Sequence, residues 1–69
     1  MNFTLECERE SDGRWLAEVA ALPGVLAYGA SANEAMTKAE VLALRVLAER
    51  FEHGEVRPFD INISVPAAA

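Results

Sequence analysis

Only one cysteine, Cys7, and one histidine, His53, occur in the chain, and these two scarcities remove whole classes of chemistry. A lone thiol has no intramolecular partner, so no disulfide is expected to staple the fold. Without clustered histidines and cysteines there is no ligand set for a structural metal. Cations are also few: six Lys and Arg stand against eleven Asp and Glu, a formal charge of −5 at pH 7. Phosphate binding draws its affinity from clustered Lys and Arg, and here they are scattered, so direct nucleic-acid binding is not expected. An acidic surface suits a basic protein partner, or simply keeps the chain soluble. No apolar run approaches the roughly 20 residues that a membrane span needs. Met1 leads into an alternating pattern rather than a signal segment, so a cytoplasmic location is expected, and the unpaired thiol agrees with a reducing compartment.

A chain of 69 residues has room for one domain, residues 1–69. At this size about 60% of the surface exposed by the unfolded chain is buried, which leaves a marginal core. With disulfides and metals excluded, oligomerisation is the remaining common remedy.

What is present is a sequence of clear periods. Phe3, Leu5 and Cys7 alternate with Thr4, Glu6 and Glu8, the mark of a half-buried strand. Ser11-Asp12-Gly13 predicts a hairpin, because glycine tolerates positive φ. The second strand sets Trp15, Ala17 and Val19 on one face and Leu16 and Glu18 on the other. Leu22-Pro23-Gly24 turns the chain into a short third strand, Val25 to Gly29, with Leu26 and Tyr28 opposite Val25 and Ala27. Phe59, Ile61, Ile63 and Val65 alternate with Asp60, Asn62 and Ser64 in a fourth strand, closed by Pro66.

Ser31 and Glu34 form an S-x-x-E capping box, which starts a helix at Ala32. Gly54 stops it after Glu52 or His53, and Arg57-Pro58 ends any continuation. Ala35, Met36, Ala39, Leu42, Ala43, Val46 and Leu47 share the face expected to cover a sheet. Glu34, Lys38, Arg45, Glu49 and Glu52 fall together on a solvated side. Between them runs a second apolar stripe, Val41, Leu44, Ala48 and Phe51, that a helix covering one sheet does not need. These four residues and Tyr28 are the candidate partner or self-association surface. A homo-oligomer, a dimer or a dimer of dimers, is expected through this stripe or an exposed strand edge.

The expected fold is α+β, in the order β-β-β-α-β. One mixed four-stranded sheet, a meander plus a parallel fourth strand, carries one helix on one face, with the right-handed crossover usual for such units.

Gly13 to Val19, Leu22 to Val25 and Tyr28 to Ala35, in this order and spacing, resemble the HicB-like antitoxin family. Its members share a glycine-aromatic strand, a Leu-Pro-Gly turn and a Gly-x-[Ser/Thr]-x-x-Glu-Ala helix start. The resemblance spans about residues 3–65 and implies a degraded ribonuclease H-like fold. It also implies a type II toxin-antitoxin role, binding and occluding a small basic HicA-type ribonuclease that cuts messenger RNA. Full-length antitoxins of the family add a helix-turn-helix or ribbon-helix-helix module. None is read within residues 1–69, so autoregulation through DNA is not expected.

The residues offer little for catalysis, and neither an enzyme nor a cofactor is expected. Two-metal nuclease chemistry needs converging carboxylates. The candidates are Glu6 or Glu8, Glu34 or Glu40, and Asp60, but the cap occupies Glu34, and Glu6 and Glu8 alternate away from the core. Cys7 reads as a small buried hydrophobe and His53 as a residue favoured by the helix dipole. The glycines are spread over turns and the helix stop, so no phosphate loop is present. The alternatives are a divergent metal-dependent nuclease, or an orphan oligomeric module with a regulatory or ligand-binding role, its pocket lined by Trp15 and Tyr28.

Overall fold

Alternation at the start of the chain survives in three dimensions. Phe3 and Leu5 are buried and Cys7 packs at the edge of the core, while Thr4, Glu6 and Glu8 face solvent. The computed structural model describes residues 2–54 and 62–66. In it this segment forms β1 (Asn2–Thr4) and β2 (Glu6–Arg9), joined at Leu5. After them come β3 (Trp15–Glu18), β4 (Leu26–Gly29), the helix α1 (Ala32–Glu52) and β5 (Asn62–Ser64).

The β2–β3 hairpin closes over a three-residue loop. Glu10 N donates to Arg14 O at 2.7 Å and Gly13 N to Glu10 O at 3.0 Å, with Gly13 at φ 91. A type I turn followed by one left-handed residue is a standard three-residue hairpin, and glycine carries the left-handed position without a Cβ penalty. Asp12 fixes the turn from its side chain, accepting from Arg14 N at 3.0 Å and Arg14 Nε at 2.8 Å. The next reversal is anchored differently. Leu22, inside the expected turn, is 1% exposed and serves as a core residue, with Leu22 N donating to Val19 O and Val25 N to Leu22 O.

The expected single four-stranded sheet is not what forms. The fold is α+β with one described helix, but its strands make two sheets: an antiparallel β2-β3-β4 and a parallel pair, β1-β5. Phe3 pairs with Ile63 in one sheet and Cys7 with Ala17 in the other. The reason lies at the two ladder ends. β3 runs out at Glu18, opposite Glu6, because the chain turns away through residues 19–24, so β1 finds no partner there. β5 runs parallel to β1, as expected, and its last bond is Leu5 N to Ser64 O at 2.9 Å. Pro66 has no amide hydrogen with which to carry that ladder on beside β2. Phe59, Asp60 and Ile61, expected in the same strand, lie outside the described residues, as does Arg57-Pro58. Val65, expected on its apolar face, is 45% exposed.

Helix α1 starts at Ser31, whose side-chain oxygen accepts from Glu34 N at 3.1 Å. The Glu34 carboxylate takes Lys38 Nζ at 3.0 Å, so among the described hydrogen bonds only the serine half of the expected capping box is made. The helix ends as expected: His53 is the C-cap and Gly54 follows at φ 70. It packs chiefly on β4 and β3 and less on β2. The contact is made of small residues. Ala17 on β3 and Ala35, Ala39 and Ala43 on α1 are fully buried. Gly29, at the end of β4, meets the first helical turn so closely that a Cβ there would lie 2.6 Å from Ala35 N. Of the expected core face, Leu42 and Val46 are only partly buried, and Ala32 joins it instead.

Candidate functional site

Because α1 covers one face of the β2-β3-β4 sheet, the other face is open, and the strand register states what lies on it. Directly paired residues of an antiparallel sheet project to the same side. Two rows cross the open face: Glu6, Glu18 and Leu26, then Glu8, Leu16 and Tyr28. The rows Cys7-Ala17-Ala27 and Arg9-Trp15-Gly29 belong to the helix side. Leu26 is 43% and Tyr28 40% exposed. The open face is thus an apolar patch of Leu16, Leu26 and Tyr28, bordered along β2 by carboxylates.

Glu6 and Glu18 stand directly opposite one another, a placement in which Cβ atoms are about 4.5–5.5 Å apart and like charges destabilise the sheet. Among the described residues no ion pair engages Glu6, Glu8 or Glu18. The one described cation at this surface, Arg14, is already committed: its guanidinium lies 4.4 Å from the centroid of the Tyr28 ring and bonds Asp12. The Arg14 backbone amide, then its side chain, hold the Asp12 carboxyl below its usual range. At the helix start, Lys38 does the same to Glu34, with the Ala30 amide adding to it. Cys7 is shifted the other way. Burial, then the charge of Glu8, push its thiol up, which favours the unreactive protonated form.

A second exposed surface lies on α1. Val41 is 41% and Leu44 51% exposed, Ala48 is exposed and Phe51 is half-buried. Leu44, Ala48 and Phe51, with Leu47, Glu40 and Ile63 of β5, line a groove of about 460 Å³. Of the five residues expected to form one partner surface, four are therefore brought together on the helix. Tyr28 is not with them: it points from the opposite face of the sheet. A pocket between Trp15 and Tyr28 is excluded for the same reason, since Trp15 packs toward the helix and Tyr28 away from it.

The carboxylates considered for metal chemistry are likewise divided. Glu6 and Glu8 lie on the open sheet face, Glu34 and Glu40 on the helix, and Asp60 outside the described residues. Among the described residues no group of three or more His, Cys, Asp or Glu is placed to hold a metal ion. No described helix is long and apolar enough to cross a membrane. The residues that sequence reasoning missed are Glu18, Leu16 and Leu26. Counting register outward from a three-residue loop, Ser11-Asp12-Gly13, pairs Glu6 with Glu18, so the signal was there. Comparison of the chain with protein-family models, with curated proteins and with solved structures finds no match.

Proposed function

We propose that this chain is an antitoxin-like binding protein whose open sheet face covers a small basic HicA-type ribonuclease that cuts messenger RNA. The observation that carries the reading is the cross-strand pair Glu6–Glu18 with Glu8 beside it, without an ion-pair partner among the described residues and bordering half-buried Leu16 and exposed Leu26 and Tyr28. A like-charge pair costs the free fold stability. A basic partner removes that cost on binding, gains steering from the acidic field, and finds an aromatic anchor in Tyr28. The resemblance of residues 13–35 to HicB-like antitoxins supports the same partner class. Occlusion needs no chemistry from this chain, only an interface of about 1,200–2,000 Å².

The test is inhibition of message cleavage by a purified HicA-type ribonuclease, with binding measured at several salt concentrations. The wild-type chain should inhibit at micromolar concentration, and the triple variant Glu6→Gln, Glu8→Gln, Glu18→Gln should bind at least about 10-fold more weakly, with a flatter salt dependence. The same variant should unfold at higher denaturant, since the repulsion is gone, which separates lost binding from lost fold. A chain that does not bind, or a triple variant that binds equally well, overturns the proposal.

A further inference from the structure

The stripe on α1 has a symmetry of its own. Val41, Leu44, Ala48 and Phe51 are spaced three, four and three, so the pattern reads the same from either end, about the level of Val46. Its sizes are complementary under that reversal: valine falls opposite phenylalanine, and leucine opposite alanine. The flank beside the stripe has a polarity as well. Glu34, Lys38 and Arg45 occupy its N-terminal half, where Lys38 is held by Glu34, and Glu49 and Glu52 its C-terminal half, all exposed.

We infer that the occupant of this stripe is a second copy of the same chain, its helix antiparallel to the first about a two-fold axis at Val46. An isologous contact sets the same surface against itself, related by the axis. Antiparallel helices bring like flanks together in opposite directions, so Arg45 of each copy meets the acidic half of the other. Reversal about Val46 leaves Arg45 two residues from the level of the second copy's Glu49. At 1.5 Å per residue that offset is about 3 Å, within reach of these two long side chains. A parallel pair would instead set this flank against the opposite one, where Glu40 and Leu47 stand, and would offer Glu49 and Glu52 no cation from α1. The charges therefore select the orientation and the hydrophobic spacing sets the register. In that register the second copy's Val41 and Leu44 enter the groove walled by Ala48, Phe51 and Ile63. This contact is independent of the sheet face, which it leaves open on both copies.

Sedimentation equilibrium of the full chain from about 1 μM to about 1 mM reads the association directly. The wild type should approach twice the chain mass with a micromolar constant. Leu44→Glu should weaken it by at least about 100-fold, and because Leu44 is half-exposed the helical circular dichroism should hold. Arg45→Glu should weaken association, and the double variant Arg45→Glu, Glu49→Arg should restore it to within about twofold of wild type. The swap does not touch the core, so it stays informative if Leu44→Glu proves unstable. A chain that is monomeric at the highest concentration, a dimer indifferent to Leu44→Glu, or a swap that does not restore association overturns the inference.

Discussion

Replacing Gly29 by alanine tests the seam between sheet and helix. Gly29 does not sit in the left-handed region, so alanine meets no backbone penalty there and only space is at issue. The added Cβ would stand 2.6 Å from Ala35 N and 3.0 Å from Glu34 Cβ and Cγ. Ordinary contact begins near 3.4 Å, so the first turn of α1 must retreat by close to an ångström. The glutamate side chain can rotate away, but the amide cannot. Ala35 N also donates to Ser31 O at 3.1 Å, the first bond of the helix. Overpacking of this kind costs about 1–3 kcal/mol, against a total stability of roughly 3–10 kcal/mol for a chain of this length. A loss of about 2 kcal/mol lowers the thermal midpoint by about 8–16 °C. Urea unfolding, followed by Trp15 fluorescence and helical circular dichroism together, measures it. Gly13→Ala is the contrasting control. At φ 91 with nothing within 4 Å of a Cβ it should lose stability through backbone strain alone. If Gly29→Ala unfolds at the wild-type midpoint, the close approach is not what the glycine is for.

Two further outcomes follow from the helix start and the turn. Ser31→Ala removes the acceptor for Glu34 N and should cost about 1 kcal/mol, a fall of about 4–8 °C in the thermal midpoint, while Ser31→Asp should keep most of the stability. Asp12 and Glu34 both have carboxyls held below their ordinary range in the folded chain. A lowered folded value means the unfolded chain takes up the proton first, so the stabilisation is complete above the ordinary carboxylate range and is lost as pH falls through the lowered values. The stability gap between wild type and Glu34→Gln, or Asp12→Asn, should therefore shrink on acidification, and a gap that is constant with pH refutes the assignment.

Local chemistry made the order of elements readable. Ser31 and Gly54 bracket the helix, Gly13 sets the hairpin, and the two-residue period places Ala17, Val19 and Val25 in the core. What the period does not carry is partnership. Residues 2–9 alternate without interruption, yet the segment changes neighbours at Leu5, because the chain leaves β3 at Val19 and Pro66 cannot donate beside β2. Leu22 shows a different gap. Turn chemistry marks where the chain bends but not that a bend can drive its own side chain into the core. The grouping of Tyr28 with the helix stripe overlooked packing that was legible. Ala27 and Gly29 are small because α1 lies on them, and Tyr28, between the two, has to point the other way. The acidic rows of the open face required a register count from the hairpin, not any motif.

The pairing of β1 with β5 also sets a timetable. Asn2 meets Asn62 across about 60 residues, and closing a loop of that length costs about 3.6 kcal/mol of chain entropy, against about 1.8 kcal/mol to bring Glu8 to Leu16 in the hairpin. Three residue pairs make up that ladder, too few to form it before the chain between them has folded. The meander and helix can assemble from near neighbours and wait, and the β1-β5 ladder is then the last to zip and the first to part. Ile63 is one wall of the groove beside Phe51, so parting that ladder would take away a wall, and an occupant seated there would act as the latch that holds the two ends of the fold together.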